Sequence, residues 1–191
     1  NLEIERPGEV YGLPEIHRKP LVRGTVSAIV PTPLASVILV ALYPLSLHML
    51  LNDSLKIRVS APADILSTDK GLAKKEITDM LSQTQLSFGD KIDLEFSESD
   101  SNRKMKADIT LSCPVSIEQI NEIYEMYDDH NFAFPISSTV SDIEVCGTNK
   151  CVISLHKDDD STLSIEAVAD PRMRGGAGDA VHIMNLLFGL H

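Results

Sequence analysis

The sequence predicts an α+β fold, in which helices pack on a sheet whose strands pair mostly in a non-parallel manner. Two observations support this prediction. Between residues 56 and 170, short stretches that alternate apolar and polar residues, as half-buried strands do, outnumber helical stretches. Acidic residues at 158–160 separate two of these stretches, which indicates a hairpin.

The first quarter of the chain is predicted to contain a turn-rich entry, one strand and one long helix. Residues 1–24 carry several turn signals and are expected to be extended. Residues 25–30 are β-branched and apolar, which favours a buried strand that Pro31 ends. Residues 34–51 are apolar on all sides and predict a buried helix, which Pro44 should kink.

Beyond residue 55, the polarity pattern predicts alternating strands and helices. Residues 61–70 are expected to form a loop, and residues 71–86 an amphipathic helix. Ser116 and Gln119 have the spacing of a capping box, which starts a second helix ending near residue 128. The predicted strands cover residues 56–61, 91–96, 105–112, 132–136, 142–145, 150–156 and 163–168, and a closing helix covers residues 176–190.

Composition narrows the class of protein. The formal net charge of −11 over 191 residues, with no basic cluster, disfavours nucleic acid as a partner. The apolar run at 34–51 is too short and too often interrupted to predict a membrane span. Three cysteines, with no ligand spacing to the histidines, predict no metal site and fit a cytoplasmic protein with reduced thiols. A small disulfide between Cys146 and Cys151 is the alternative.

Three separated segments carry a family resemblance. Tyr-Gly-Leu-Pro-Glu occupies residues 11–15 and is followed by Arg18; Gly-Thr-Asn-Lys-Cys occupies residues 147–151; and a glycine-rich helix start with a Met-Asn pair occupies residues 174–190. Together they resemble the N-acetyl-gamma-glutamyl-phosphate reductase family, a branch of the semialdehyde dehydrogenases. The resemblance is good over residues 9–60 and 115–190 and poor over 61–90.

This resemblance implies a fold similar to the C-terminal, substrate and dimerisation domain of glyceraldehyde-3-phosphate-dehydrogenase-like enzymes. Residues 1–54 would be a remnant of the nucleotide-domain edge with a buried helix. Residues 55–170 would form the substrate and dimerisation domain, and residues 171–191 the closing helix. In the family, a nucleotide-binding domain precedes the segment that matches residues 11–15. This chain lacks such a domain, either as a fragment or as a naturally short protein, so no cofactor is expected in it.

The chemical signature of the family is missing. Family members use NADPH to reduce an acyl phosphate to a semialdehyde in arginine biosynthesis, through the thiolate of an Asn-Pro-Gly-Cys motif. Laid on this sequence without a gap, that motif falls on residues 30–33, and the cysteine position is Pro33. The family's His-x-His-x-x-Glu-Ile falls on residues 71–77, where only Glu76 and Ile77 match. No catalytic residue is therefore predicted, although Ser36, one helical turn away, is a weak alternative nucleophile.

The resemblance also suggests weaker binding roles. It implies that Gly175, Gly176, Gly178 and Asn185 correspond to family residues that lie near the nicotinamide of NADP. Arg18 matches a family arginine that could contact an anionic substrate, and pairing with Glu15 or Glu9 is the simpler interpretation.

Three functions remain open at this stage. The first is a catalytically inactive, homodimerising protein, with the subunit contact made through the strand at 149–153. The second is an active NADP-dependent oxidoreductase of which this chain is a fragment, and the third is a regulatory subunit that pairs with an active paralogue. An apolar stripe of the closing helix is expected to be covered by the helix at 34–51 or by a second subunit; its members are Val181, Met184, Leu187 and Phe188.

Overall fold

A six-stranded mixed sheet organises the structure. The structure is a computed structural model that describes residues 9–23, 25–51, 55–88, 92–136, 138, 140 and 145–190. The elements are β1 (Glu9–Tyr11), α1 (Pro14–Val22), β2 (Ser27–Ile29), α2 (Pro33–Leu47), β3 (Leu55–Ala61), α3 (Ala63–Thr84), β4 (Ile92–Glu98), β5 (Met105–Ser112), α4 (Ile117–Tyr124), β6 (Ala133–Ile136), β7 (Cys151–Lys157), β8 (Thr162–Ala169) and α5 (Gly178–Phe188).

The large sheet has the strand order β4-β3-β5-β8-β7-β6. Only the β3–β4 and β6–β7 pairs are parallel, and the other three pairs are antiparallel. Residues along β3 and β5 alternate between buried and exposed, so one face packs on helices and the other is open. Ile109 sits at the centre of the covered face, between Ile57 and Ile165. The predicted α+β fold is therefore confirmed.

Helix α2 runs through Pro44 as one helix, and Tyr127 supplies the hydrogen bond that the proline removes. Proline has no N–H, so the carbonyl of Val40 loses its helical donor. The hydroxyl of Tyr127 donates to this carbonyl at 2.8 Å, and the hydroxyl of Tyr124 donates to the carbonyl of Ala41. Tyr127 thus replaces the hydrogen bond that the proline removes, and Tyr124 adds a hydrogen bond to the neighbouring carbonyl.

The main hydrophobic core surrounds α2 and takes side chains from Tyr11 to Ala169. It therefore spans both sides of the domain boundary predicted after residue 54, and that boundary stays a prediction. Helix α2 ends at Leu47 rather than at the predicted residue 51, and Met49 beyond it has a left-handed φ of 56°. None of the helices in the described ranges is long and apolar enough to cross a membrane.

The loop predicted at 61–70 is wrong, because α3 already begins at Ala63. Ser67 and Thr68 resemble helix breakers in the sequence, but both hydroxyls donate to the carbonyl of Asp64 inside the first helical turns. Gly71 lies in mid-helix and is exposed. Burial of one apolar face overrides these weak local signals; its members are Leu66, Ala73, Ile77, Met80 and Leu81.

The extended entry predicted for residues 1–24 is also wrong over most of its described part. Pro14 opens α1, and His17 breaks its helical geometry with φ −118° and ψ 27°. This break accommodates Pro20 one turn later. Before α1, β1 pairs in parallel with β2 as a separate two-stranded sheet.

Helix α5 packs through a different face from the one predicted. Ile183 and Leu186 are buried against Leu21 of α1. Val181 and Phe188 of the predicted stripe are 52% and 72% exposed, so cover by α2 is wrong and cover by a second subunit stays a prediction. The strand predicted at 142–145 falls almost entirely outside the described residues.

Candidate functional site

Position 33, where the resemblance puts the nucleophile, is the first residue of α2. The chain leaves β2 at Ile29, turns through Pro31 and Thr32, and enters the helix at Pro33. The Oγ1 of Thr32 accepts a hydrogen bond from the N–H of Ala35 at 3.3 Å and so caps the helix. Proline suits the first helical position, whose N–H needs no intrahelical partner. The expected strand, turn and helix are present, and the helix begins with the pyrrolidine ring of Pro33.

The backbone of Gly175 packs directly against Pro33. Gly175 has a φ of 65°, and a Cβ on it would lie 2.3 Å from the Cα of Pro33 and 2.7 Å from the carbonyl carbon of Thr32. Both neighbours are backbone atoms that cannot rotate away, so this contact requires glycine. The turn of π-helix at Met173–Ala177, which contains Gly175, therefore packs directly on the start of α2, and Pro33 is buried.

Glu76 of α3 holds the turn before α2 in place. Its Oε2 accepts hydrogen bonds from the N–H of Thr32 at 3.0 Å, from the Thr32 hydroxyl at 2.8 Å and from the Tyr11 hydroxyl at 3.2 Å. Burial raises the pKa of Glu76, although these hydrogen bonds act in the opposite direction. The carboxylate also lies at the N-terminal end of α2, where the helix dipole favours negative charge.

Arg174 is fully buried and joins four segments of the chain. Its Nη1 donates to Glu15 Oε1 at 2.7 Å, and its Nε donates to Ser36 Oγ at 2.8 Å and lies 3.6 Å from Asp179 Oδ2. Asn149 Nδ2 donates to Asp179 Oδ1 at 2.6 Å. We call these five residues the Arg174 cluster. Ser36, the weak alternative nucleophile, is thus a buried hydrogen-bond partner.

The charges in the Arg174 cluster stabilise one another. Burial alone would raise the pKa of Glu15, but the adjacent guanidinium brings that pKa below its ordinary value. Burial would likewise lower the pKa of Arg174, but Glu15 and Asp179 raise it, so the guanidinium stays charged. Burial raises the pKa of the nearby Cys151 thiol to about 12, so this thiol is protonated at neutral pH.

This cluster was not predicted from the sequence, where Arg174 is part of a glycine-rich helix start and Glu15 is a possible partner for Arg18. Arg18 is exposed on α1, whereas Glu15 faces Arg174, and the Oε1 of Glu9 accepts a hydrogen bond from Ser27.

The four residues that the resemblance links to NADP lie in different surroundings. Gly178 and Asn185 line a pocket between α5 and the turn at residues 147–150. Gly175 is buried on Pro33, and a Cβ on Gly176 would lie 3.5 Å from the carbonyl oxygen of Pro171. The structure therefore brings Gly178 and Asn185 together but separates them from Gly175.

Within the described ranges, nothing supports a metal site or a disulfide bond. No group of three or more histidine, cysteine, aspartate or glutamate side chains there could hold a metal ion. All three cysteines are free, with Cys113 and Cys151 buried and Cys146 exposed. The small disulfide considered from the sequence is therefore not formed.

Comparison with known proteins identifies the relatives of this chain. No protein-family model matches it. It is 33% identical over 202 aligned residues to the N-acetyl-gamma-glutamyl-phosphate reductase of Parabacteroides distasonis, and 29% identical over 202 to that of Phocaeicola vulgatus. Each alignment covers 95% of this chain, which spans 62% of the length of each relative.

Solved structures show the same fold. Aspartate semialdehyde dehydrogenase II of Vibrio cholerae, complexed with ASA, matches with a TM-score of 0.64 and 14% identity, over 97% of this chain and 69% of that one. A probable aspartate-semialdehyde dehydrogenase of Pseudomonas aeruginosa matches with a TM-score of 0.66 and 13% identity, over 95% and 68%. The resemblance predicted from the sequence is confirmed: over nearly its whole length, the chain is a homologue of the N-acetyl-gamma-glutamyl-phosphate reductase family and shares the semialdehyde dehydrogenase fold.

Proposed function

We propose that this chain is a non-catalytic, self-associating homologue of the acyl-phosphate reductases. The observation that supports this proposal is the start of α2, where Pro33 replaces the family thiol and lies buried under Gly175. An acyl phosphate needs a nucleophile here, and a proline ring offers none.

Nearby hydroxyl and thiol groups do not replace the missing nucleophile. The Thr32 hydroxyl donates to Glu76 while its oxygen caps α2. The Ser36 hydroxyl is buried between Arg174 and Asp179. The Cys151 thiol has a pKa of about 12 because it is buried, so very little of it is thiolate at neutral pH.

The acid/base function is also absent from α3. The two family histidines fall on Gly71, which is exposed, and on Ala73, which is fully buried in the core. Glu76 remains, but its carboxylate is committed to Thr32 and Tyr11. Three losses at separate positions favour an inactive protein over one with a displaced active site.

The open face of the sheet is the surface we assign to self-association. It carries paired charges of both signs, with Lys106 bonded to Asp108 and Glu166. A shallow depression of about 310 Å³ lies on it, lined by Thr110 and His156 among others. A surface of mixed charge around a depression is suited to a two-fold contact, in which each group meets its counterpart in the other copy.

The first test is enzymatic. The purified chain is incubated with NADPH and N-acetyl-gamma-glutamyl phosphate, and NADPH consumption is followed by absorbance. We expect no turnover above a no-protein control, and none for Pro33→Cys, because the histidines are missing as well. Turnover by the wild-type chain would overturn the assignment and favour an active reductase. Turnover by Pro33→Cys alone would show that the missing histidines are not needed.

The second test concerns assembly. Light scattering at tens of micromolar should give the mass of a dimer. Thr110→Arg, at the centre of the open face, should shift the mass towards the monomer, because the two-fold contact would bring the new arginine of each copy close to that of the other. Glu122→Arg, on the exposed surface of α4, is the control and should leave the dimer intact. A monomeric wild-type chain, or equal effects of both variants, would contradict association through this face.

A further inference from the structure

A pocket of about 560 Å³ lies between α5 and the turn at 147–150, and Pro33 is not among its lining residues. We propose that this pocket binds an amphipathic organic monoanion, with an apolar body against α5 and a carboxylate or sulfonate beside Lys150. The proposal is independent of whether the chain is catalytically active.

The size and walls of the pocket fit a small apolar body. Sites for small molecules span roughly 300–1,000 Å³ and are mostly apolar, with a few polar groups that orient the ligand. Met173 and Val181 form aliphatic wall, and Phe132 forms aromatic wall. The imidazole of His182 packs edge-on to Phe132, with ring centroids 4.9 Å apart, which fixes the orientation of this side.

The charge of the pocket favours an anion. The ammonium of Lys150 lies 5.2 Å from the centre of the Phe134 ring, which orients it, and none of the ion pairs found in the described ranges involves it. Burial lowers the pKa of His182, so its imidazole is neutral at pH 7 and leaves Lys150 as the positive group of the lining.

The N-terminal end of α5 adds a weaker attraction for anions. Ala177 and Gly178 line the pocket at the point where this helix begins, and the helix dipole is positive there. The first-turn carboxylate of Asp179 is fully buried on Arg174 and Asn149 instead of facing the pocket.

The same charges limit the ligand to one negative charge. Lys150 is one ammonium in a chain with a net charge of −11, which would repel a polyphosphate. The turn that carries Lys150 is itself held in place: the Thr148 hydroxyl donates to the Val145 carbonyl at 2.8 Å. We therefore expect selection for aryl or alkyl carboxylates and sulfonates rather than for nucleotides.

The experiment uses 8-anilinonaphthalene-1-sulfonate, a fluorescent aromatic monoanion, titrated against the intact chain. Lys150→Met should raise its Kd roughly tenfold, as expected for the loss of a charge-assisted contact. Lys74→Met, an exposed lysine on α3, is the charge control and should leave Kd within about twofold.

A second pair of variants tests the location of binding. Val181→Trp should fill the pocket and abolish binding. Met184→Trp adds the same ring on the same helix, at an exposed residue outside the pocket lining, and should leave binding intact. Circular dichroism confirms that each variant is folded; Val181 is half exposed, so tryptophan there should not disturb the core.

Competition then tests the chemistry of the ligand. The anion 4-phenylbutyrate should displace the probe, and its neutral amide should displace it at least tenfold less well. Equal competition by the two compounds, or unchanged binding to Lys150→Met, would overturn the assignment of an anion. Unchanged binding to Val181→Trp, or equal losses in Val181→Trp and Met184→Trp, would overturn the assignment of the pocket.

Discussion

Replacing Arg174 by methionine should lower the free energy of unfolding by about 3–5 kcal/mol at neutral pH. Methionine has a similar length and fills the same space, so the loss is mainly electrostatic. The change removes the hydrogen bonds to Glu15 and Ser36 and leaves two buried carboxylates, Glu15 and Asp179, without their cation. For a chain of this size, the corresponding fall in Tm is roughly 6–20 °C.

The pH dependence of this loss identifies its cause. In the wild-type chain, the pKa of Glu15 is lower in the folded state than in the unfolded state. The pairing of Glu15 with Arg174 therefore stabilises the fold at pH values above the unfolded-state pKa, and this stabilisation is lost as the pH falls. In Arg174→Met, burial is no longer opposed by the guanidinium and should raise the folded-state pKa of Glu15, so the variant loses stability as the pH rises. The difference between the two proteins should be small near about pH 4 and largest near about pH 7.

The measurement is urea unfolding, followed by circular dichroism, at several pH values between these limits. Arg172→Met is the matched control, because Arg172 pairs with Asp64 at an exposed site and its loss should change stability little at any pH. A stability difference for Arg174→Met that does not change with pH would show that packing, and not buried charge, explains the cost.

Two further predictions concern the helices. Gly71→Ala should raise the free energy of unfolding by about 0.5–1 kcal/mol, because Gly71 is helical and a Cβ there meets nothing within 4 Å. A variant that is less stable than the wild type in urea unfolding would contradict this. Tyr127→Phe should lower the free energy of unfolding by about 1–3 kcal/mol, because the buried carbonyl of Val40 loses its donor. This loss should be smaller in a Pro44→Ala background, where the new N–H of residue 44 can bond the same carbonyl. Equal losses in both backgrounds would refute that account.

The sequence predicted most of the sheet, because strand periodicity is a local signal. The predicted range for β5 agrees with the structure at both ends, and those for β7 and β8 agree within one residue. The failures lie where long-range packing overrides local cues. Helix α3 continues through Gly71 because it buries one apolar face, and α2 continues through Pro44 while the distant Tyr127 supplies the hydrogen bond that the proline removes.

The candidate site could be predicted only in part, for a related reason. The start of α2 follows from adjacent residues, so the sequence located Pro33 correctly at a helix N-terminus. The Arg174 cluster joins residues 138 and 159 positions apart in two of its contacts, Arg174 to Ser36 and Arg174 to Glu15. No helical or strand period encodes contacts at such separations, and arginine is seldom fully buried.

The Arg174 cluster joins the three segments that carry the family resemblance. Glu15 belongs to the first segment, Asn149 to the second, and Arg174 and Asp179 to the last, and a continuous set of contacts runs from Glu15 through Arg174 and Asp179 to Asn149. Pro33 contributes no side-chain hydrogen bond to this set, so the cluster does not depend on the residue at position 33. Removing Arg174 would leave the buried carboxylates of Glu15 and Asp179 without their cation. The resemblance at these three segments therefore has a structural basis in the interior that is separate from any chemistry at the start of α2.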